Sequence, residues 1–136
     1  MIESNKNLLL KDLSARLPYG VKVYDIKSGI NSSFMNLNHV NGVGEVFISY
    51  KLECRTALIE DVKPYLFPLS SMTEEQKKQL QELYFDYIPD EIFNDTEFVY
   101  HYDCIHLIDW LNANHFDYRN LINKNLAIDC TNLNIY

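Results

Sequence analysis

The sequence predicts an α+β domain: a small antiparallel β-meander or SH3-like partial barrel, preceded by one helix and followed by helices that pack on it. Three observations carry this reading. Residues 21–59 hold short β-branched and aromatic runs at roughly 10-residue spacing, separated by turn residues. From Thr73 onward the apolar residues recur at helical spacing. The chain has 136 residues, 47% hydrophobic and 13% aromatic, enough apolar area for a real core and too rich for disorder.

Taken in order, Leu8, Leu9, Leu10, Leu13 and Leu17 mark a short amphipathic helix, with Lys11, Asp12 and Arg16 expected on its wet side and Pro18 and Gly20 ending it. Val21, Val23, Tyr24 and Ile26 read as a first strand, closed by Ser28-Gly29. Ser33–Val40 is a second, with imperfect alternation. Asn41, Gly42 and Gly44 are turn residues able to take positive φ. Glu45–Leu52 and Cys54–Ile59 complete four strands, with a tight break at Glu53 between them. Residues 61–72 contain Pro64 and Pro68, which forbid a helix and predict an extended or single-turn connector laid against the sheet.

Thr73 with Gln76 forms a capping box, and Glu74 and Glu75 meet the positive end of the helix that follows. Leu80, Leu83, Tyr84 and Tyr87 give its buried stripe, and it should end near Ile88-Pro89. Asp90–Thr96 reads as a turn anchored by Phe93. Phe98–Tyr102 reads equally as a strand or as the first turn of the next helix. That helix lies in Tyr100–Ile122, the stretch around which the fold is expected to organise. Cys104, Leu107, Ile108, Leu111 and His115 share one face, Asp103 caps it, and Ile105 and Trp110 widen the apolar stripe. Asp117 can cap a short turn over Tyr118–Asn123, and Asn125 tolerates a left-handed cap. Leu126, Ile128 and Cys130 have strand spacing, so the C-terminal segment should be docked. The organisation expected is one domain over residues 1–136: helix and meander to residue 60, connector to 72, helical part to 136.

Charge divides the chain. The net charge is −7, but residues 1–69 are near neutral while residues 70–136 carry −8. Between Lys78 and Arg119 there is no Lys or Arg, and such a surface repels phosphate backbones. It serves as a solubilising face, or as a docking face for a basic partner, or as a mimic of nucleic acid. The ten tyrosines line core edges or make a recognition surface. Cys54, Cys104 and Cys130 are an odd number with no CxxC, which suggests reduced thiols in a cytoplasmic setting. No window is apolar enough to span a bilayer, and the N-terminal three-leucine run is too short for a signal peptide.

Three stretches carry a resemblance. Asp61-Val62-Lys63-Pro64-Tyr65-Leu66 with Pro68 and Ser70-Ser71-Met72-Thr73-Glu74-Glu75 is one. Leu121-Ile122 through Leu126-Ala127-Ile128-Asp129 to Leu133-Asn134-Ile135-Tyr136 is the second, and Leu13 with Ala15-Arg16-Leu17-Pro18-Tyr19-Gly20-Val21-Lys22-Val23 is the third. Together they resemble small, uncharacterised prophage or mobile-element proteins of gut bacteria of the Bacteroides type. The resemblance implies a phage-related origin and carries over no functional residue. The strands between Lys27 and Lys51 have no counterpart in it.

No Walker loop, GxGxxG, GxSxG or HExxH is present. The best metal candidates, His101, Cys104 and His106, converge poorly, because on a helix residue 106 lies about 200° from 104. A Cys104–His101 nucleophile pair lacks an orienting third group. Glu60-Asp61 and Asp90-Glu91 are adjacent carboxylates that point apart, and Arg55 and Arg119 look isolated. No catalytic or cofactor-binding residue is therefore assigned. The expected function is a non-enzymatic, phage-related accessory protein that binds a protein partner or itself. The expected surface combines Trp110, Tyr136, Asp86, Asp90, Glu91 and Asp95. Two alternatives are nucleic-acid binding through Lys22, Lys27, Lys51 and Arg55 on one face of the N-terminal sheet, and a small hydrolase or nuclease.

Overall fold

The structure is a computed structural model that describes residues 1–40, 43–84 and 105–136. Helix α1 (Glu3–Arg16) buries Leu9, Asp12, Leu13 and Arg16, the i, i+3, i+4, i+7 face of the helix. This corrects the expectation that Asp12 and Arg16 face water, since both are 0% exposed. Arg16 Nε donates to Asp12 Oδ2 at 2.7 Å, and Arg16 Nη2 donates to the Phe116 carbonyl at 2.7 Å. Arg119 Nη1 adds a second cation at 3.0 Å from Asp12 Oδ1. Buried charge is tolerated because each ion finds opposite charge or a carbonyl. A turn at Leu17–Tyr19 and Gly20, at φ 68°, then end the helix.

The meander follows. Strands β1 (Lys22–Asp25), β2 (Ile30–Val40), β3 (Val43–Tyr50) and β4 (Glu53–Leu58) pair consecutively and antiparallel. The α+β class is as expected, and the sheet is open. The irregular alternation in β2 has a physical cause. The register against β3 shifts between Phe34 and Asn36, so Met35 is an extra, bulged residue. The bulge turns Met35 outward while Phe34 and Leu37 stay opposite Ile48 and Val46, both fully buried. The break between β3 and β4 falls at Lys51-Leu52, with Tyr50 paired to Glu53, rather than at Glu53.

The expected connector is a strand. β5 (Val62–Pro68) pairs antiparallel with β1 and parallel with two short strands, β6 (Phe116–Asp117) and β7 (Ile128–Asp129). Both prolines fix φ in a range that suits extended backbone, and Pro64 stands opposite Val23. The Leu66 carbonyl accepts from Cys130 N at 3.0 Å and Phe67 N donates to the His115 carbonyl at 2.9 Å. These two groups belong to one peptide unit and point to opposite edges, so β5 is bonded on both sides.

Helix α2 (Glu74–Tyr84) starts with the expected capping box. Thr73 N donates to Gln76 Oε1 at 2.9 Å, and Gln76 N donates to Thr73 Oγ1 at 3.2 Å. The expected end near Ile88-Pro89, the Asp90–Thr96 turn and the Phe98–Tyr102 segment lie outside the described residues. Within the stretch expected to organise the fold, the described residues hold helix α3 (Ile105–Ala113). His115, at φ 61°, reverses the chain, and Asp117 then accepts from the Leu121 and Ile122 amides at 2.9 and 2.8 Å.

Among the described residues two apolar clusters result. Leu9 and Leu13 of α1, with Leu121, Leu126 and Ala127, cover Val23, Phe34, Val46, Ile48 and Leu66 of the sheet. Leu107 and Leu111 of α3 pack with Leu80 of α2, Leu69, Met72, Phe116 and Tyr118 at the β5–β6 end. The meander is therefore covered by α1 rather than by α3. The Asp12–Arg16–Arg119 network joins the two clusters through Phe116 and Tyr118. The C-terminal segment is docked: Tyr136 donates to the Tyr65 carbonyl at 2.9 Å and accepts from Lys22 N at 3.0 Å. Among the described residues no helix is long and apolar enough to cross a membrane.

Candidate functional site

β4 is the last strand of the sheet order β4-β3-β2-β1-β5-β6, so one of its edges has no neighbouring strand among the described residues. A two-residue turn makes the flanking pair, Tyr50 and Glu53, exchange both ladder bonds. The next pair, Ser49 and Cys54, is then of the opposite kind, and so is Phe47 with Thr56. Backbone N–H and C=O groups of Cys54 and Thr56 consequently point to the open edge. Both residues are exposed, and Leu52 at the hairpin tip is 101% exposed.

Beside this edge lies a cleft of about 370 Å³ between β4, the β1–β2 turn and the Ile59–Asp61 turn. Asp25 and Arg55 organise it. Arg55 Nη2 lies 2.9 Å from Asp25 Oδ2 and donates to Ser28 Oγ at 2.6 Å, while Ser28 Oγ donates to Asp25 Oδ2 at 2.7 Å. Lys27 and Ser28 amides donate to Asp25 Oδ1 at 3.0 and 3.4 Å, an Asx turn that closes the hairpin. Burial alone would raise the Asp25 carboxyl. The bonds from Ser28 and the two amides, with the Arg55 charge, hold it below its ordinary value. Lys27 Nζ meets Asp61 Oδ2 at 2.6 Å, and its own value is raised by that bond and charge. Arg55 is thus not isolated, and neither is Arg119.

The cleft is open on one side and sets fixed charges beside strand backbone that is unpaired among the described residues. Such a surface suits an extended peptide, whose main chain continues the ladder while alternate side chains meet the charges.

The residues expected to form an interaction surface are not gathered there. Asp86, Asp90, Glu91 and Asp95 lie outside the described residues, as do His101 and Cys104. His106 is exposed at the start of α3. Trp110 is half-buried and stacks on Phe116, centroids 5.7 Å apart. Tyr136 is 42% exposed, yet its ring stacks on His115 at 3.7 Å and its hydroxyl is bonded inward; burial pushes that phenol up. Among the described residues no three His, Cys, Asp or Glu side chains are grouped to hold a metal.

The four basic residues do not share a face. Lys22 pairs with Ser33, which pairs with Ser49 and so with Cys54; Arg55, one residue on, lies in the row of Phe34 and Ile48, on the opposite side. Lys27 and Arg55 are held by carboxylates, and Lys51 lies over the Tyr50 ring at 5.3 Å. The residues missed at sequence level are Asp25, Ser28 and Asp61. Their one local signal was the Asp25-x-x-Ser28 spacing of an Asx turn; the meeting with Arg55 depends on how the sheet curls. No family model, curated protein or solved structure matches this chain.

Proposed function

We propose that this chain is a protein-interaction module, an accessory protein of the phage-related kind its sequence resembles, which takes an extended segment of its partner at the β4 edge. The observation that supports this reading is the β4 backbone, unpaired on one edge among the described residues, running beside a cleft whose charges are already fixed by Asp25, Ser28 and Asp61. Fixed charges lower the ordering cost of binding, and strand addition supplies main-chain hydrogen bonds without requiring a deep pocket. The separation of Lys22 from Arg55 favours a protein partner over nucleic acid, because no continuous basic face is offered to a phosphate backbone.

Thr56→Pro tests the reading. It removes an outward N–H without touching the bonds between β4 and β3, and proline is accepted at sheet edges. Affinity capture from phage-induced cells, with the natural chain and the variant as baits, should retain the partner on the first and lose it on the second. Equal capture by a variant that melts like the natural chain would exclude the β4 edge.

A further inference from the structure

Resting on the reading of β4 as a binding edge, we propose that its occupant is a second copy of this chain, the two β4 strands pairing antiparallel about a two-fold axis at Cys54. A two-fold interface requires the strand to complement its own reverse. Centred on Arg55, the pairing sets two guanidinium groups face to face. Centred on Thr56, it sets Arg55 against Ala57 and leaves Glu53 without a charge partner. Centred on Cys54, it sets each Glu53 opposite the partner's Arg55, and symmetry repeats that ion pair. With Cys54 as a bonded pair, Glu53 and Arg55 occupy the non-bonded positions, where facing side chains are closest.

The hairpin tip agrees with the same register. It carries the partner's Leu52 to Thr56, at the mouth of the cleft. Leu52 is 101% exposed in the single chain and leaves water on pairing. Arg55 reaches the partner's Glu53 while keeping Asp25, because 38% of its side chain is exposed. Cys54 is a free, exposed thiol, so the two copies bring like thiols together without any covalent step.

Sedimentation velocity over a concentration series, with a short bis-maleimide as cross-linker, tests this. In a Cys104→Ser background the chain should show a concentration-dependent dimer that cross-links through Cys54, and adding Cys54→Ser should abolish the cross-link; Cys130 is buried and does not substitute for it. Glu53→Arg should weaken the dimer about tenfold or more, because two attractive pairs become two repulsive ones. Mixing Glu53→Arg with Arg55→Glu should restore a heterodimer, and the cross-linking result stands alone if Arg55→Glu fails to fold. A chain that stays monomeric while Thr56→Pro still abolishes capture of a different protein overturns the second copy and leaves the edge reading in place. A dimer that ignores Glu53→Arg, persists in Thr56→Pro and does not cross-link at Cys54 overturns both.

Discussion

Asp12 serves two guanidinium groups inside the fold, and its carboxylate oxygens divide them: Oδ2 takes Arg16 Nε, Oδ1 takes Arg119 Nη1. Arg16 is 0% exposed, so removing the carboxylate strands a cation with no water to relieve it. Asp12→Asn should therefore cost about 3–5 kcal/mol, the range for breaking one partner of a buried pair. Urea unfolding with an unchanged slope checks it. Asp12→Leu combined with Arg16→Met should recover much of the loss, since an apolar pair of similar volume avoids the desolvation cost. Tyr118 belongs to the same network: both guanidinium groups lie over its ring, at 5.2 and 4.5 Å, and its hydroxyl donates to Asn112 at 2.9 Å. At this scale the sequence was misleading. A charged residue on a helix reads as solvent-facing, and only a partner 107 positions away makes Asp12 an interior one.

At the scale of elements, local chemistry was the better guide. The capping box at Thr73, the left-handed Asn125 at φ 58°, and the Asp117 turn formed where short-range hydrogen bonding predicts them. Strand existence was legible from β-branched runs, whereas boundaries moved where the bulge at Met35 and the Lys51-Leu52 turn intervene. Lys51 takes φ 54°, a left-handed conformation in which a side chain is strained. Lys51→Gly relieves that strain and should stabilise the chain by about 0.5–1 kcal/mol, seen as a raised Tm. No increase would mean that the contact of Lys51 with the Tyr50 ring outweighs the backbone term. In β5 the prolines exclude a helix but do not by themselves separate a connector from a strand. Here their fixed φ and the apolar residues between them serve a strand bonded on both sides.

For the whole molecule, the docking of the C-terminal segment ties distant parts together and gives a pH profile. His115 stacks on Tyr136, and burial, with the Arg16 charge nearby, lowers its imidazole from 6.5 to about 4. The unfolded chain then binds a proton between those values that the folded chain refuses, so stability should fall as pH drops from 6.5 toward 4. Burial raises the Cys130 thiol from 9.0 to about 11, so the unfolded chain ionises first and stability should fall again above pH 9. Thermal melts across pH should show a plateau between these limits. In His115→Asn, which keeps a residue that tolerates positive φ, the acidic slope should flatten; an unchanged slope would assign it to other groups.

The sequence by itself determined the α+β class, the four-strand meander, the α2 start and the docked C-terminal segment. Each follows from hydrogen bonding or apolar spacing within a few residues. Only the tertiary structure decided that Asp12 and Arg16 lie inside, that the Pro64 segment is a strand bonded on both edges, and that Arg55 meets Asp25 beside the open β4 edge. Those facts depend on pairings between residues far apart in the chain. A side chain's solvation and charge partner are set by what folds against it, and that information is not local.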